Sequence, residues 1–440
     1  MGLCPVFLGD QGACPHGTHV KNYTIYKIQK IYFNRIMRKY KKLGGILMKN
    51  IKILMLALTL MLAMFLTACG GGGNESTSGE SNTNEGNGGE AGSAGPVEAK
   101  IGVISWITGS GAGYGEAITN GVKLAAEEIN AKGEVHIELL IEDSAGKQDQ
   151  ALSAAQKLIN SDNVTALLGP TLSTEMNVVG PEADLAGVPT MGTSVTAQGI
   201  PEIGDYIFRD SIPESLAIPA SMQKAIEKYG VKKVAIMYGN DDVFTQSGYD
   251  TMHATAEEMG LEILTIETFQ KGQSDYNAQL TKIKNLNPDL ILCSALYNEG
   301  AVIMDQARKM GLDVPFVGGN GFNSPEVIKI AGDATNGLIV ATPWFGAKED
   351  AKVQEFVNKY TEKYGKEPDQ FAAQAYDGLY LLAEAVKNAG EADRDRVRDA
   401  LAEIKDFPGI LGSMSFDEVG DIVMDPTVLV IDEGQFKLFE

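Results

Sequence analysis

Between Ile101 and Gly133 the chain reads IGVISWITGSGAGYGEAITNGVKLAAEEINAKG, and the change of period inside that stretch decides the fold. KIGVISWI (100–107) is a short, nearly continuous apolar run, the pattern of a strand buried on both faces. After a glycine-rich turn, EAITNGVKLAAEEINAKG (116–133) sets Ile118, Val122, Ala125 and Ile129 at helical spacing and closes on Gly133. A strand followed at once by an amphipathic helix is the first half of a βαβ unit.

The rhythm continues. VHIELLIED reads as strand, QDQALSAAQKLINSD as helix, VTALLG as strand, TEMNVVGPEADLAG as a helix broken at its proline, and VPTMG as strand. It then restarts with VKKVAIMYG (231–239), LEILTIETF, PDLILCSA, VPFVG and NGLIVAT, separated by helices such as SGYDTMHATAEEMG and GAVIMDQARKMG. Two sets of strands of this kind predict an α/β protein of two doubly wound parallel-sheet lobes. Beyond Thr342 the sequence turns helical, in DAKVQEFVNKYTEKYG, PDQFAAQAYDGLYLLAEAVKNAG and a charged segment near 394–405. With too little strand for a third domain, these helices are expected to pack back on a lobe.

Ligands of doubly wound sheets sit beyond the C-terminal strand ends. Here those ends are WITGSGAGYG, LLGPTLST, TMGTSVTA, YGNDDVF, CSALYNEG and VGGNGFNS, rich in glycine and hydroxyls. GSGAGYG (109–115) fails the dinucleotide pattern G-x-G-x-x-G, because Tyr114 or Glu116 stands where the third glycine is required. There is no G-x-x-x-x-G-K-[ST] and no G-x-S-x-G. His136 and His253 are the only histidines after residue 19, too few for a histidine triad or a histidine metal cluster, and each reads as a surface or boundary residue. Cys293, within LILCS, reads as a buried thiol. No cofactor or metal is expected, and an enzyme would have to be built from Asp and Glu alone. Ser173, Thr174, Ser194 and Thr196 follow strand ends at predicted helix starts, where free backbone N–H groups and hydroxyls suit a carboxylate, although ordinary N-capping selects the same residues.

The opening stretch, LLGPTLST, VKKVAIMYGNDD and AVIMDQARKMGLDVPFVGGNGFNSPEVIKIAGDATNGLIVATPW, in this order over more than 300 residues, resemble the type I periplasmic binding proteins. The closest class is that serving branched-chain amino acid ABC transporters. The resemblance implies two lobes joined by a three-crossover hinge, with crossings near Asp210–Ser215, Thr342 and Ser415. Lobe 1 is then 97–214 with 342–415, and lobe 2 is 215–341 with 416–440. It implies a small polar ligand, a branched-chain or related amino acid, held as a monomer and passed to a membrane permease. A sensor of the same fold is the alternative use, and an amide or another solute the alternative ligand. By position it assigns the ligand carboxylate to Ser173, with Thr174 beside it, further anchors to Ser194 and Thr196, and lining aromatics to Tyr114, Phe244 and Tyr297. The class places an acid opposite the ligand ammonium, where this chain has Asn320; Asp241, Asp242 or Glu299 could compensate.

Upstream of the lobes the chain carries export signals. The apolar run Ile53–Phe65 is shorter than the roughly 20 residues of a membrane span and is preceded by Lys49 and Lys52, the order of a secretory signal peptide (48–68). Leu66-Thr67-Ala68-Cys69 resembles a lipobox, which implies cleavage before Cys69 and a diacylglyceryl anchor on its thiol; two acyl chains suffice for stable attachment. The protein is then extracytoplasmic, lipid-anchored on the outer face of the cell membrane, as in a Gram-positive cell. Residues 69–96 continue as the anchor and a Gly/Ser/Asn/Glu tether without aromatic or β-branched apolar residues, a coil of about 25–30 Å by square-root scaling. Residues 1–47 do not belong to a signal peptide. LGGILM (43–48) can be encoded by a purine-rich ribosome-binding stretch before an ATG, so Met48 is read as the start; finding peptides from 1–47 in the cellular product would contradict this.

From Cys69 onward there are 27 basic and 57 acidic residues, a net charge of −30. Nucleic-acid binding, which needs clustered basic residues, is excluded as a function. With Cys69 acylated, Cys293 stands alone in the folded part, so no intramolecular disulfide is available there.

Overall fold

A computed structural model describes residues 95–440. The extension 1–47, the signal segment, Cys69 and the tether to residue 94 lie outside the described residues. Strand β1 (Val97–Ser105) pairs in parallel with β2 (Val135–Asp143) on one side and β3 (Ala166–Leu168) on the other. Strands β4 (Thr190–Gly192) and β5 (Ile207–Arg209) complete the order β2-β1-β3-β4-β5, all parallel. Helices α1 (Ala112–Lys132), α2 (Gln148–Asn160) and α3 (Ser173–Leu185) make the crossovers. The apolar continuity of β1 has a direct cause: Ile101 and Val103 enter the core under α1, while Ile104 enters a second core with Leu167 and the α2 and α3 side chains.

The second sheet repeats the plan. After α4 (Glu214–Tyr229), strands β6 (Lys233–Gly239), β7 (Glu262–Phe269), β8 (Leu290–Ser294), β9 (Phe316–Gly318) and β10 (Leu338–Thr342) assemble in the parallel order β7-β6-β8-β9-β10. Helices α5 (Val243–Glu258), α6 (Asn277–Leu286), α7 (Tyr297–Lys309) and the short α8 (Glu326–Ala331) lie between them. Each sheet therefore reverses direction of growth once, between β1 and β3 and between β6 and β8, and those switch points are where a ligand crevice opens.

Helices α9 (Ala351–Tyr364), α10 (Gln370–Ala389) and α11 (Arg394–Ala402) return to the first sheet. There α10 lies against α1 so closely that a Cβ on Gly121 would sit 2.3 Å from the Ala372 carbonyl oxygen. A small antiparallel sheet follows, β11 (Phe407–Pro408), β12 (Ser413–Phe416) and β13 (Ile422–Val423). It is tied to β5, because the Arg209 N–H donates to the Gly420 carbonyl and the Arg209 guanidinium grips both oxygens of Asp421 at 2.6 Å. The chain then enters the second sheet as antiparallel β14 (Thr427–Asp432) and β15 (Gln435–Leu438).

Three local features differ from the sequence-based expectation. The segment around Ser415 is paired in the small sheet as far as Val423, tied to β5 by the Arg209–Asp421 pair, and the chain joins the second sheet at Thr427. Helix α3 runs unbroken through Pro181. Both Pro181 and Asn177, whose carbonyl loses its partner, are exposed, so water can replace the missing bond. The five strands after residue 406 are not expected from the sequence; of them β14 carries an apolar run, Val428–Ile431, and the others are short and added by pairing.

Candidate functional site

The loops leaving β1, β3 and β4 face those leaving β6, β8 and β9 across a narrow cleft. Its walls are Tyr114, Thr171, Leu172, Ser173, Ser194 and Phe371 from the first sheet's half, and Phe244, Leu296, Asn320 and Gly321 from the second.

On the first wall, Ser173 opens α3, so its hydroxyl and the unpaired N–H groups of the first helical turn share one spot. The Ser173 Oγ accepts the Ala197 N–H at 3.2 Å, which leaves its own proton free to donate. Beside it the Ser194 hydroxyl donates to the Thr171 carbonyl at 2.7 Å, and Thr171 Oγ1 accepts the Trp106 N–H at 2.9 Å. These bonds lock the β1, β3 and β4 loops together. The Leu172 N–H is bound by Glu175 Oε2 at 3.0 Å, and burial pushes that carboxyl up to about 7 against the hydrogen bonds that favour its charge.

Aromatic groups close the cleft. Tyr114 packs edge-on to Phe371 with ring centroids 4.8 Å apart and lies 4.5 Å from the Tyr297 ring. Its hydroxyl donates to the Gly321 carbonyl and accepts the Tyr297 N–H at 2.8 Å, so one side chain of the first wall holds two loops of the second. Gly321 must be glycine there: a Cβ would lie 2.3 Å from the Ala295 carbonyl oxygen. Burial raises the Tyr114 phenol well above its ordinary value, keeping it a neutral donor. At the rim, the Lys271 ammonium stands 4.3 Å over the Trp106 ring.

Five of the eight residues singled out in the sequence, Tyr114, Ser173, Ser194, Phe244 and Asn320, line this cleft. Three do not. Thr174 instead bonds across to the other wall, its Oγ1 2.7 Å from Asp242 Oδ2 and 2.9 Å from the Val243 N–H. Thr196 turns to Glu214 Oε1 at 3.2 Å. Tyr297 seals the outside, its hydroxyl donating to the Ser110 carbonyl at 2.8 Å and accepting the Gly113 N–H at 3.1 Å. The acids considered as compensation for Asn320 have other partners. Asp241 accepts the Lys271 N–H, Asp242 caps α5 through the N–H groups of Phe244 and Thr245, and Glu299 accepts the Gly272 N–H at 2.8 Å.

The residues missed lie beside those found, with one exception. Thr171 and Leu172 adjoin Ser173, Gly321 adjoins Asn320, and Leu296 sits in the CSALYNEG strand end. Phe371 comes from α10, far along the chain, and no local signal marks it. Glu214, fully buried at the first crossing, holds the Asn320 N–H on Oε1 at 2.8 Å and also escapes a local reading. Cys293 is buried in β8, and burial raises its thiol pKa. His136 and His253 stand at the surface beside Glu98 and Glu257.

Residues 98–434 match the family model for periplasmic binding proteins. A Pseudomonas aeruginosa protein named for binding leucine, isoleucine, valine, threonine and alanine is 28% identical over 327 residues, 73% of this chain and 87% of its own. A Streptococcus pneumoniae branched-chain amino acid transporter substrate-binding protein, solved with isoleucine, superposes with TM-score 0.73 at 33% identity, covering 77% of this chain and 98% of its own. An ABC-transporter solute-binding protein of Rhodopseudomonas palustris, solved with 3,4-dihydroxybenzoic acid, gives TM-score 0.71 at 26% identity, covering 77% and 95%. With two parallel sheets facing across a cleft and a family match over most of its length, this chain belongs to the periplasmic binding protein family, whose members bind solutes outside the cytoplasm and are not enzymes.

Proposed function

We propose that this chain is the lipid-anchored receptor of an ABC importer, capturing a small aliphatic α-amino acid between its lobes and presenting it to a membrane permease. The observation that carries this reading is the composition of the cleft. One patch, the Ser173 hydroxyl with the N-terminal N–H groups of α3, offers donors suited to a carboxylate, and Ser194 lies beside it. The remaining lining, Leu172, Leu296, Phe244, Phe371 and the Tyr114 ring, is apolar and fits a short hydrocarbon side chain. The names of the Pseudomonas and Streptococcus relatives support the same class.

The lobes as read from the family, joined at three crossings, supply the hinge for capture. The anchor on Cys69 and the tether keep the receptor within reach of its permease. A second reading, a carboxylic acid without an ammonium, is favoured by the neutral Asn320 and by the dihydroxybenzoate relative. Titration calorimetry of the full chain against aliphatic amino acids and aromatic acids separates the two. One-to-one binding of leucine, isoleucine or valine supports the first, and binding of aromatic acids alone replaces it with the second.

A further inference from the structure

The hinge end of the cleft has hydrogen-bond acceptors left over. Asn320 lines the cleft, and two buried side chains from elsewhere in the chain bond directly to it: Glu214 through the Asn320 backbone N–H, and Gln370 through the Asn320 carboxamide oxygen. Glu214 Oε1 takes that N–H at 2.8 Å and the Thr196 hydroxyl at 3.2 Å. Gln370 spends an Nε2 N–H on the Asn320 carboxamide oxygen. Glu214 Oε2 and Gln370 Oε1, each buried from solvent, have no partner.

The charge count points the same way. Glu214 is fully buried, and the nearest cation that acts on it is Arg209. Arg209 is itself occupied, by both oxygens of Asp421 at 2.6 Å and by the carbonyls of Val195 and Ala197. A buried carboxylate without a cation of its own is costly, and a buried acceptor without a donor adds to the cost. A small group carrying several N–H donors and a positive charge would satisfy both.

Resting on the amino-acid reading above, the geometry points to Glu214, with Gln370, as the seat of the ligand's ammonium, reached past Asn320. The acid missing at position 320 is supplied from the first crossing, at the start of α4. The ligand class that follows is a zwitterion: carboxylate toward Ser173 and α3, ammonium toward the hinge. Because Glu214 already joins Thr196 of one wall to Asn320 of the other, an ammonium there would also hold the hinge in its closed arrangement.

The test compares ligands that differ only in the ammonium. Titration calorimetry of the full chain uses leucine beside isocaproate and valine beside isovalerate, for the wild type, Glu214→Gln and Glu299→Gln. The expected result is that Glu214→Gln weakens the amino acids by about tenfold or more, as loss of a charge-assisted bond does, and leaves the deaminated acids within about twofold. Glu299→Gln should change neither. The inference is overturned if Glu214→Gln leaves amino-acid affinity unchanged, if it weakens both ligand types equally, if Glu299→Gln produces the selective loss instead, or if the wild type binds both types equally well. In each of those cases the cleft still binds carboxylates. Failure of the wild type to bind any of the four ligands would instead refute the amino-acid reading, and this assignment with it.

Discussion

The Thr174 hydroxyl of one lobe lies 2.7 Å from Asp242 Oδ2 of the other and accepts the Val243 N–H at 2.9 Å, so a single side chain at the start of α3 clasps the start of α5. The sequence places Thr174 beside Ser173 as a ligand contact. Adjacent positions on a helix point about 100° apart, so if Ser173 faces the cleft its neighbour turns away, here to the opposite lobe. Thr174→Val keeps the shape and removes the clasp. We expect ligand affinity to fall by roughly fivefold or more, about 1 kcal/mol or more for the two lost bonds, expressed mainly as faster release. Stopped-flow dissociation rates check this, and an unchanged rate would show that the clasp does not hold the closed form.

Ser173→Ala removes the hydroxyl assigned to the ligand carboxylate. A hydrogen bond to a charged group contributes about 1.5–3 kcal/mol, so binding should weaken by roughly tenfold to a hundredfold. The fold loses only the bond from the Ala197 N–H, and the melting temperature should shift by a few degrees at most. Unchanged affinity would remove Ser173 from the site.

Gly121→Ala tests how the C-terminal helices are held. The new Cβ would meet backbone, the Ala372 carbonyl oxygen at 2.3 Å, so α10 must move off α1. Overpacking of this kind costs about 1–3 kcal/mol. Denaturant melts should show that loss, and Phe371, one residue from the contact, should drift and weaken ligand binding as well.

Burial holds Glu175, Glu214, Asp369 and Asp377 each at about 7. In the unfolded chain these groups titrate near 4.5 for Glu and 3.8 for Asp, so the native state binds their protons more tightly. Their stabilising contribution is complete below the unfolded values and is lost as pH rises through about 7. The ligand-free chain should therefore melt at a lower temperature at about pH 8 than at about pH 5, and Glu214→Gln should reduce the difference. A melting temperature that rises over this interval would contradict the assignment.

The sequence discloses what is local and hides what is assembled. The strands of both sheets are apolar runs because both faces are buried, and Ile101 with Ile104 shows how one strand feeds two cores. Ser173 and Ser194 are legible because parallel strands must end, and helices start, where ligands sit, whereas Tyr114, Phe244 and Asn320 are reached only through the family resemblance. Phe371 and Glu214 are not, since α10 and α4 bring them to the cleft only after the lobes fold. Strand β14 escapes for a different reason: Val428 and Val430 are only partly buried, and the strand gains its place by pairing antiparallel with β10 on one side and β15 on the other.

The account turns on the carboxylate end of the cleft, and a crystal structure of the chain with leucine, isoleucine or valine bound tests it most directly. The account predicts the ligand carboxylate within hydrogen-bond distance of Ser173 Oγ and the first N–H groups of α3, with the side chain among Leu172, Phe244 and Leu296. A ligand whose carboxylate lies elsewhere in the cleft, or an amino acid bound outside it, would contradict it.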